Sequence, residues 1–367
     1  MDVRIKSEIG KISKVIVHKP GWFHDNMHPD NIQEYLSNGE KNPNYLLFDD
    51  LIDTQLAIKE HKMFTDILKL FTGKDGCVDL LHDIGSNSKL NDLSDQVLPN
   101  MIFTRDLGVV IGNKILIPWA SKKVRNFENE LTSKIFKKYF NNHDIIEFHD
   151  LNPDTSLEGG DITIFNEDLI LIGISERTTK EAIHSIQEVI FNEGFNRIYA
   201  VELPKKRSMM HIDTVLTKIN HDEVIYFSPL FDEHKPNIYN IKRGESINSV
   251  KPLRINLIEM LNSDGYKTRG IKCGGNININ QYREQWTDGA NAFCLQPGIS
   301  IGYNRNYHTI EELKRNGYKI VNSEDFIINF NNETDEKIFI TINSSELCRG
   351  RGGPRCLTLP VYRESDG

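Results

Sequence analysis

A recurring pattern of short apolar runs constrains the fold of this 367-residue chain more than any other feature. Four segments, which begin near residues 103, 158, 211 and 288, each hold two apolar runs joined by a polar or Pro-Gly turn. Such turns between β-rich runs are typical of hairpins. Amphipathic helices are predicted over 122–139, 179–191 and 309–316, and helical spacing of apolar residues also predicts a helix over 43–71, after Pro43. Further strands are predicted over 196–201 and 319–321. The pattern predicts a unit of strand, turn, strand, helix and strand.

Each predicted unit also opens with a polar cluster, and the N-terminal run 11–21 is a degenerate member of the series. Five units would average about 73 residues each. Segments of any mixed α/β protein can resemble each other by chance, so periodicity alone leaves a true repeat undecided. Units arranged in a circle would place their polar clusters around one central cavity, which makes the clusters a single candidate site.

Composition limits the domain organisation and the classes of partner. No low-complexity tract or Pro/Ser-rich linker divides the chain, so we expect one domain, 1–367. The 44 Lys and Arg against 52 Asp and Glu give a net charge of −8, which argues against nucleic-acid binding. No apolar run approaches the ~20 residues of a membrane span, and no signal peptide is evident. Five cysteines without a CxxC spacing indicate a cytoplasmic protein with reduced thiols.

Cys356 has the most reactive surroundings of the five cysteines. It follows Arg349, Arg351 and Arg355 in a glycine-rich stretch, and nearby guanidinium charge is expected to lower the pKa of a thiol. The alternative is a flexible basic loop that holds a packed cysteine. We predict a nucleophile at Cys356, and core or incidental roles for Cys77, Cys273, Cys294 and Cys348.

His211 is the predicted proton carrier for this nucleophile. His211 and Asp213 lie two residues apart in a strand-like run, which would place their side chains on one face. Histidine is the usual partner of a catalytic cysteine. The alternative is a buried strand histidine with no catalytic role.

Asp106, Glu158 and Asp161 are carboxylates at the openings of two units. Gathered around a thiolate they would repel it, so such a site needs a cation at its centre. One candidate is a metal ion, although the residues lack a dense ligand spacing such as HExxH. The other is a planar guanidinium, whose N–H donors match paired carboxylates. Each carboxylate alone could be a solvated turn residue, so only the carboxylates taken together indicate a cation-binding site.

The motifs FTRD (103–106), EGGD (158–161), HIDT (211–214) and RGRGGPRC (349–356), in this order, resemble the arginine deiminases of the guanidino-group-modifying superfamily. The resemblance extends over nearly the whole chain, including SEIGKISKVIVHKPG (7–21), LPNMIFTRD (98–106), WTDGANAFCLQPG (286–298) and SELCRGRGGPRCLTLP (345–360). It implies a five-fold pseudosymmetric α/β propeller, the pentein fold, around a central active site.

The resemblance also implies catalytic roles. Cys356 would attack the guanidinium carbon, and His211 would protonate the leaving ammonia and then activate water. Asp106 and Asp213 would hold the guanidinium nitrogens, and Glu158 would lie beside the guanidinium and His211.

Further positions match substrate-binding residues of the family. Asn100, Arg125 and Arg177 would hold the amino-acid carboxylate, and Phe103 would contact the aliphatic stem. Asp161 matches a polar carboxylate of the substrate site, and Arg351 matches a mobile arginine beside the nucleophile. From the residues alone, Arg125 and Arg177 could equally be solvated arginines at helix starts.

The implied reaction is hydrolysis of L-arginine, or a closely related derivative, to citrulline and ammonia through a covalent cysteine thiouronium. No metal or organic cofactor is implied. The first alternative is an amidinotransferase, in which an amine acceptor takes the amidino group. The second is a non-catalytic arginine-binding module.

The chain departs from the family in one region. The bacterial deiminases carry a long helical insertion after the helix that contains KEH, whereas only residues 65–97 are available here. Since the insertion covers the site and takes part in assembly, its loss leaves the substrate and the oligomeric state open. We expect a small guanidino substrate and no nucleic acid or membrane partner, with a homo-oligomer as an open alternative.

Overall fold

Each predicted unit corresponds to one β-sheet. The computed structural model describes residues 2–80, 98–141, 144–331 and 334–365. Within these ranges the strands, in chain order, are β1 (Ile12–Val17), β2 (Cys77–Asp79), β3 (Val109–Ile111), β4 (Lys114–Ile117), β5 (Ile145–Glu147), β6 (Ile162–Ile164), β7 (Leu169–Ile174), β8 (Arg197–Glu202), β9 (Leu216–Asn220), β10 (Glu223–Tyr226), β11 (Asn237–Lys242), β12 (Leu253–Arg254), β13 (Arg269–Lys272), β14 (Phe293–Gln296), β15 (Ile299–Tyr303), β16 (Lys319–Asn322), β17 (Ile338–Ile342) and β18 (Leu359–Arg363).

These strands form five sheets with one common topology. Their strand orders are β18-β1-β2, β3-β4-β5, β12-β11-β8-β7-β6, β13-β10-β9 and β14-β15-β17-β16. In every sheet, one strand pairs antiparallel with one neighbour and parallel with its other neighbour. These strands are β1, β4, β7, β10 and β15. Parallel strands require a crossover connection, which explains why helical segments follow the pairs. The predicted repeat of five α/β units is confirmed.

The N-terminal and C-terminal ends of the chain share one of these sheets. β1 pairs antiparallel with β18 and parallel with β2, so the N-terminal segment and the segment after Cys356 complete a single unit. This pairing brings both ends of the chain together, as a ring of units requires.

The α-helices complete the units. Their bounds are Trp22–Asp25, Thr54–Thr72, Asn126–Tyr139, Phe148–Leu151, Lys180–Asn192, Leu257–Ser263, Asn278–Trp286, Tyr307–Arg315 and Ser323–Ile328, with a π-helical turn at Pro229–His234. The apolar face of Asn126–Tyr139 shows how they pack: Leu131, Ile135 and Phe136 join the apolar residues of β3 and β4 in one buried cluster. Among the described residues, no helix combines the length and apolar character that crossing a membrane requires.

One boundary prediction is wrong, and one predicted strand, 319–321, is confirmed but takes an outer position in its sheet. The helix expected after Pro43 begins at Thr54, where Asp53 caps it by accepting a hydrogen bond from the backbone N–H of Leu56. Upstream of it, Leu47 adopts a positive φ of 64° that a helix does not allow. In the unit that begins near 288, β17 and not the predicted strand 319–321 lies beside β15. β17 is fully buried whereas β16 is largely exposed, so the more apolar strand takes the inner position.

The polar clusters form 3₁₀ turns where the sequence suggested strand starts. These turns cover Thr104–Asp106, Gly159–Asp161 and Ile212–Thr214, directly before β3, β6 and β9. The prediction that the side chains of His211 and Asp213 share one face of a strand is therefore wrong. The backbone N–H of Thr214 bonds the carbonyl of His211, which closes a turn instead of pairing with a strand.

The predicted short insertion region is only partly described. Its first residues finish the helix Thr54–Thr72 and form β2. Residues 81–97 lie outside the described residues.

Candidate active site

The predicted site residues meet at one small cavity. Its volume is about 20 Å³, room for about one water molecule. Eight of the eleven predicted residues line it, namely Asn100, Phe103, Asp106, Arg125, Arg177, His211, Arg351 and Cys356. The other three, Glu158, Asp161 and Asp213, are fully buried behind this lining.

Cys356 is buried and contacts two polar side chains. Its Sγ lies 3.6 Å from Oδ2 of Asp213 and 3.2 Å from Nδ2 of Asn291. The amide oxygen of Asn291 accepts hydrogen bonds from the backbone N–H groups of Arg355 and Cys356. Because the oxygen is used in this way, the amide nitrogen is the atom that faces the sulfur.

The predicted lowering of the thiol pKa is wrong. Burial, with the carboxylates of Asp213, Asp288 and Asp106, raises the pKa of the Cys356 thiol well above its ordinary value, and the guanidinium of Arg355 only partly opposes this. Arg349 points elsewhere, since it pairs with Asp50 at the surface. The residues next to Cys356 in the sequence are basic, but the residues that the fold brings close to its thiol are mainly carboxylates.

His211 is held by a carboxylate on the side of its Nε2 atom. Nε2 lies 2.8 Å from Oε2 of Glu158. Although burial disfavours the charged ring, Asp106, Glu158 and Asp161 raise the pKa of His211 to about 9. The ring is thus an imidazolium at neutral pH and can donate a proton.

The two glycines of EGGD are required by close packing. A Cβ atom on Gly160 would lie 2.4 Å from Nδ1 of His211, and one on Gly159 would lie 2.0 Å from the carbonyl oxygen of Arg105. The backbone N–H of Gly160 also donates to Oδ1 of Asp106 at 2.9 Å. This turn therefore positions the imidazole and the neighbouring carboxylate together.

Arg125 and Arg177 are buried and paired with carboxylates, so the alternative of solvated helix-start arginines is wrong. Nη1 of Arg125 lies 2.8 Å from Oδ2 of Asp106, and its Nε lies 2.8 Å from Glu128. Nη1 of Arg177 lies 3.3 Å from Oε2 of Glu158. Two cations and several anions thus meet around the cavity.

Asp161 does not line the cavity. It accepts hydrogen bonds from Oγ of Ser175 at 2.7 Å and from the backbone N–H of Ile212 at 2.9 Å. Burial raises the pKa of Asp161 to about 7. Its contacts hold the turn that carries His211 and Asp213.

The chain that carries these site residues matches a known protein family. The arginine deiminase family model matches residues 81–363. The chain belongs to the arginine deiminase family. The arginine deiminase of Mycoplasma capricolum subsp. capricolum is 31% identical over 428 residues, which cover 99% of this chain and 97% of that protein. The arginine deiminase of Borrelia garinii subsp. bavariensis is 32% identical over 421 residues, with 99% and 98% covered.

Solved structures show the same fold at lower sequence identity. The product-bound N-terminal domain of ArgZ, an arginine dihydrolase from the ornithine-ammonia cycle in cyanobacteria, matches with a TM-score of 0.59 and 16% identity, covering 96% of this chain and 98% of that domain. A dimethylarginine dimethylaminohydrolase bound to S-methyl-L-thiocitrulline matches with a TM-score of 0.57 and 14% identity, covering 95% and 99%.

The family alignments are longer than this chain. They run over 421 and 428 residues for these two relatives, against 367 residues here. The relatives therefore carry stretches without a counterpart in this chain, which agrees with a shortened region.

One set of side chains could offer ligands to a metal ion. Asp106, Glu158 and His211 each present an atom within 4.8 Å of the others. However, Arg125 already pairs with Asp106, and Arg177 with Glu158. Since these carboxylates are partly neutralised by the protein's own cations, the donor set fits a metal poorly.

Sequence reasoning missed several residues of the site. Leu47, Arg207, Met210 and Gly350 also line the cavity. Asn291 contacts the nucleophile and could have been found from the repeat, because it precedes β14 by two residues much as Asp213 precedes β9 by three. Arg207 carried no such signal, and its position depends on contacts with Asp49 and the carbonyl of Leu47.

Proposed function

We propose that this protein hydrolyses the guanidino group of L-arginine, or of a closely related arginine derivative, to citrulline and ammonia through a covalent intermediate on Cys356. The observation that carries the proposal is that Cys356, His211 and Asp106 line one cavity with Asp213 directly behind the thiol. The carboxylates of Asp106, Asp213 and Asp288 act on the thiol, so the reacting end of the site suits a cationic group. Membership of the arginine deiminase family supports a guanidinium.

The first half of the reaction forms a C–S bond and breaks a C–N bond. A bound guanidinium adds positive charge beside Cys356, which favours the thiolate, and the thiol proton is released to water as the substrate binds. The thiolate attacks the guanidinium carbon while Asp106 and Asp213 hold the nitrogens. The imidazolium of His211 donates its proton to the departing nitrogen, so ammonia leaves and a thiouronium remains on the sulfur.

The second half restores the enzyme. His211, now neutral, takes a proton from a water molecule, and the oxygen of that water attacks the thiouronium carbon. The C–S bond breaks as the remaining hydroxyl proton passes to the departing sulfur, so Cys356 returns as a thiol, His211 as an imidazolium, and the carbonyl of citrulline forms. Glu158, which bonds Nε2 of His211, fixes the ring through both proton transfers.

Substrate specificity is proposed to depend on residues away from the reacting carbon. We propose that Asn100, Arg125 and Arg177, which line the cavity, bind the α-carboxylate and that the ring of Phe103 contacts the stem. A cavity of about 20 Å³ is much smaller than a ligand pocket of roughly 300 Å³ or more. Binding therefore requires an opening movement, and we propose that Arg351 moves, because it lines both this cavity and a wider cleft of about 1030 Å³.

We further propose that residues 1–367 act as one catalytic domain in the cytoplasm, without a metal or organic cofactor. Arg105 supports the single domain, because its backbone N–H bonds the carbonyl of Cys356 across distant parts of the chain.

Product analysis tests the proposed function. The purified protein is incubated with L-arginine and, separately, with agmatine, which lacks the carboxylate. We expect equimolar citrulline and ammonia from arginine and much slower turnover of agmatine. Cys356→Ala should abolish citrulline formation and keep the wild-type melting temperature. Ornithine with an amidinated acceptor, or wild-type turnover by the alanine variant, would contradict the proposal.

A further inference from the structure

A chain of buried ion pairs connects the N-terminal segment to the nucleophile. Nε of Arg355 donates to Oε1 of Glu8 at 2.8 Å, and Nη1 of Arg355 donates to Oδ2 of Asp213 at 2.8 Å. The side chains of the three residues are at most 5% exposed. The same Oδ2 atom lies 3.6 Å from Sγ of Cys356.

The guanidinium of Arg355 is fixed at all three of its nitrogens. Besides the two ion pairs, Nη2 donates to the carbonyl of Ile162 at 2.7 Å and lies 3.3 Å from Oγ1 of Thr163. A planar group held in this way cannot turn. Glu8 is fixed as well, since its backbone N–H donates to the carbonyl of Ile164 at 2.7 Å.

We infer that Arg355 and Glu8 are positioning residues for Asp213 and set the charge balance around Cys356. Arg355 holds Oδ2 of Asp213, which leaves Oδ1 for a guanidinium N–H. Oδ1 has no hydrogen-bond partner among the described residues. The inference deepens the proposed function, because it takes Asp213 as a residue that holds the substrate guanidinium.

Glu8 limits how much positive charge acts on the thiol. It lies 3.6 Å from Nη2 of Arg105 as well as next to Arg355, and Arg363 is also close enough to affect it. Despite burial, these guanidinium groups hold the pKa of Glu8 below its ordinary value, so its carboxylate is ionised at neutral pH. Among the described residues, the charged groups that act on Cys356 or line its cavity are Asp106, Asp213, Asp288, His211, Arg351, Arg355, Arg125, Arg177 and Arg207.

This arrangement predicts opposite electrostatic effects for two substitutions. E8Q removes a negative charge behind Arg355, which favours the thiolate and moves the pH dependence of Cys356 alkylation to lower pH. R355Q removes the positive charge, which disfavours the thiolate and moves the dependence to higher pH. Both variants loosen Asp213, so both should lower kcat/KM for arginine, by about ten- to a hundredfold.

The experiment measures alkylation and turnover on the full chain. Iodoacetamide labelling of the Cys356 peptide is followed by mass spectrometry across a pH range without substrate, and kcat/KM is measured with arginine. R355K, which keeps the charge, replaces R355Q if that variant does not fold; it should lower kcat/KM with a smaller alkylation shift. E223Q is the matched control, because Glu223 is a buried, ion-paired carboxylate on β10 that does not line the cavity.

Opposite alkylation shifts in E8Q and R355Q, with a wild-type profile in E223Q, would support the inference. A purely structural role would lower the melting temperature of E8Q and R355Q and leave their alkylation profiles at the wild-type pH, which would overturn it. The proposed function is tested separately by wild-type citrulline formation, because alkylation without substrate does not depend on what the enzyme hydrolyses.

Discussion

Two sides of the cavity differ in how their residues are held. One side, here the turn wall, consists of the 3₁₀ turns Thr104–Asp106, Gly159–Asp161 and Ile212–Thr214 with the adjoining Glu158 and His211. The other side, here the loop wall, consists of residues 46–50 and 349–353. Turn-wall residues are fixed by buried hydrogen bonds, for example from Gly160 to Asp106 and from Ile212 to Asp161.

The loop wall also has buried hydrogen bonds, to the carbonyls of Leu46 and Gly352, but it differs from the turn wall in its strained backbone and its surface ion pair. Leu47 and Arg351 both adopt a φ of 64°, unusual for residues other than glycine. Arg349 pairs with Asp50, and both side chains are at least 42% exposed. Arg351 lies over the ring of Trp286 at 4.0 Å. From this difference we expect the turn wall to keep its geometry during catalysis and the loop wall to move when a substrate enters.

The largest expected effect of a turn-wall substitution comes from His211. H211N removes the proton donor and should lower kcat by about 10²- to 10⁴-fold. In the wild type the pKa of His211 is raised to about 9, so the acid form is present below that pH and is lost as the pH rises through it. Since the thiol is already ionised once the substrate is bound, kcat reports the acid form of His211, and we expect kcat to fall as the pH rises through this range. A kcat profile that stays level to pH 10, or wild-type kcat in H211N, would contradict the role.

A smaller effect is expected from the packing of the turn wall. G160A would place a Cβ atom 2.4 Å from Nδ1 of His211, so the ring must shift. We expect unfolding free energy to fall by about 1–3 kcal/mol, and kcat to fall about tenfold or more, as expected for a misplaced catalytic group. The matched control is G108A, whose Cβ would meet the ring of Phe136 at 2.8 Å in the core. It should lose stability and keep its kcat; equal losses of kcat in both would contradict the account.

The smallest effect is expected in the loop wall. R349Q removes the exposed pair with Asp50. Exposed ion pairs contribute about 0–1 kcal/mol, so we expect the free energy of unfolding to change by no more than this and kcat to stay at the wild-type value. Urea unfolding and steady-state kinetics check both statements. A large loss of kcat would place Arg349 with the turn wall.

The sequence predicted the repeat and most of the cavity lining for identifiable reasons. Hairpin turns and apolar runs are local signals, so β3, β4, β6, β7, β9 and β10 were found. It did not reveal the 3₁₀ turns, since these depend on contacts such as that of Asp161 with Ile212. The sequence also did not predict that the fold raises the pKa of the Cys356 thiol. Basic neighbours in the sequence suggested a lowered pKa, whereas Asp213, Asp288 and Asp106, distant in sequence, surround the thiol in the fold.

The central claim is that Cys356 forms a covalent bond to the guanidinium carbon and expels ammonia. The most direct test is to quench the protein during arginine turnover and to measure the mass of the peptide that contains Cys356. The account predicts an adduct with the mass of arginine less ammonia, which is absent from C356A. An adduct that carries the amidino group alone would show amidino transfer, and citrulline formation by C356A would contradict the claim itself.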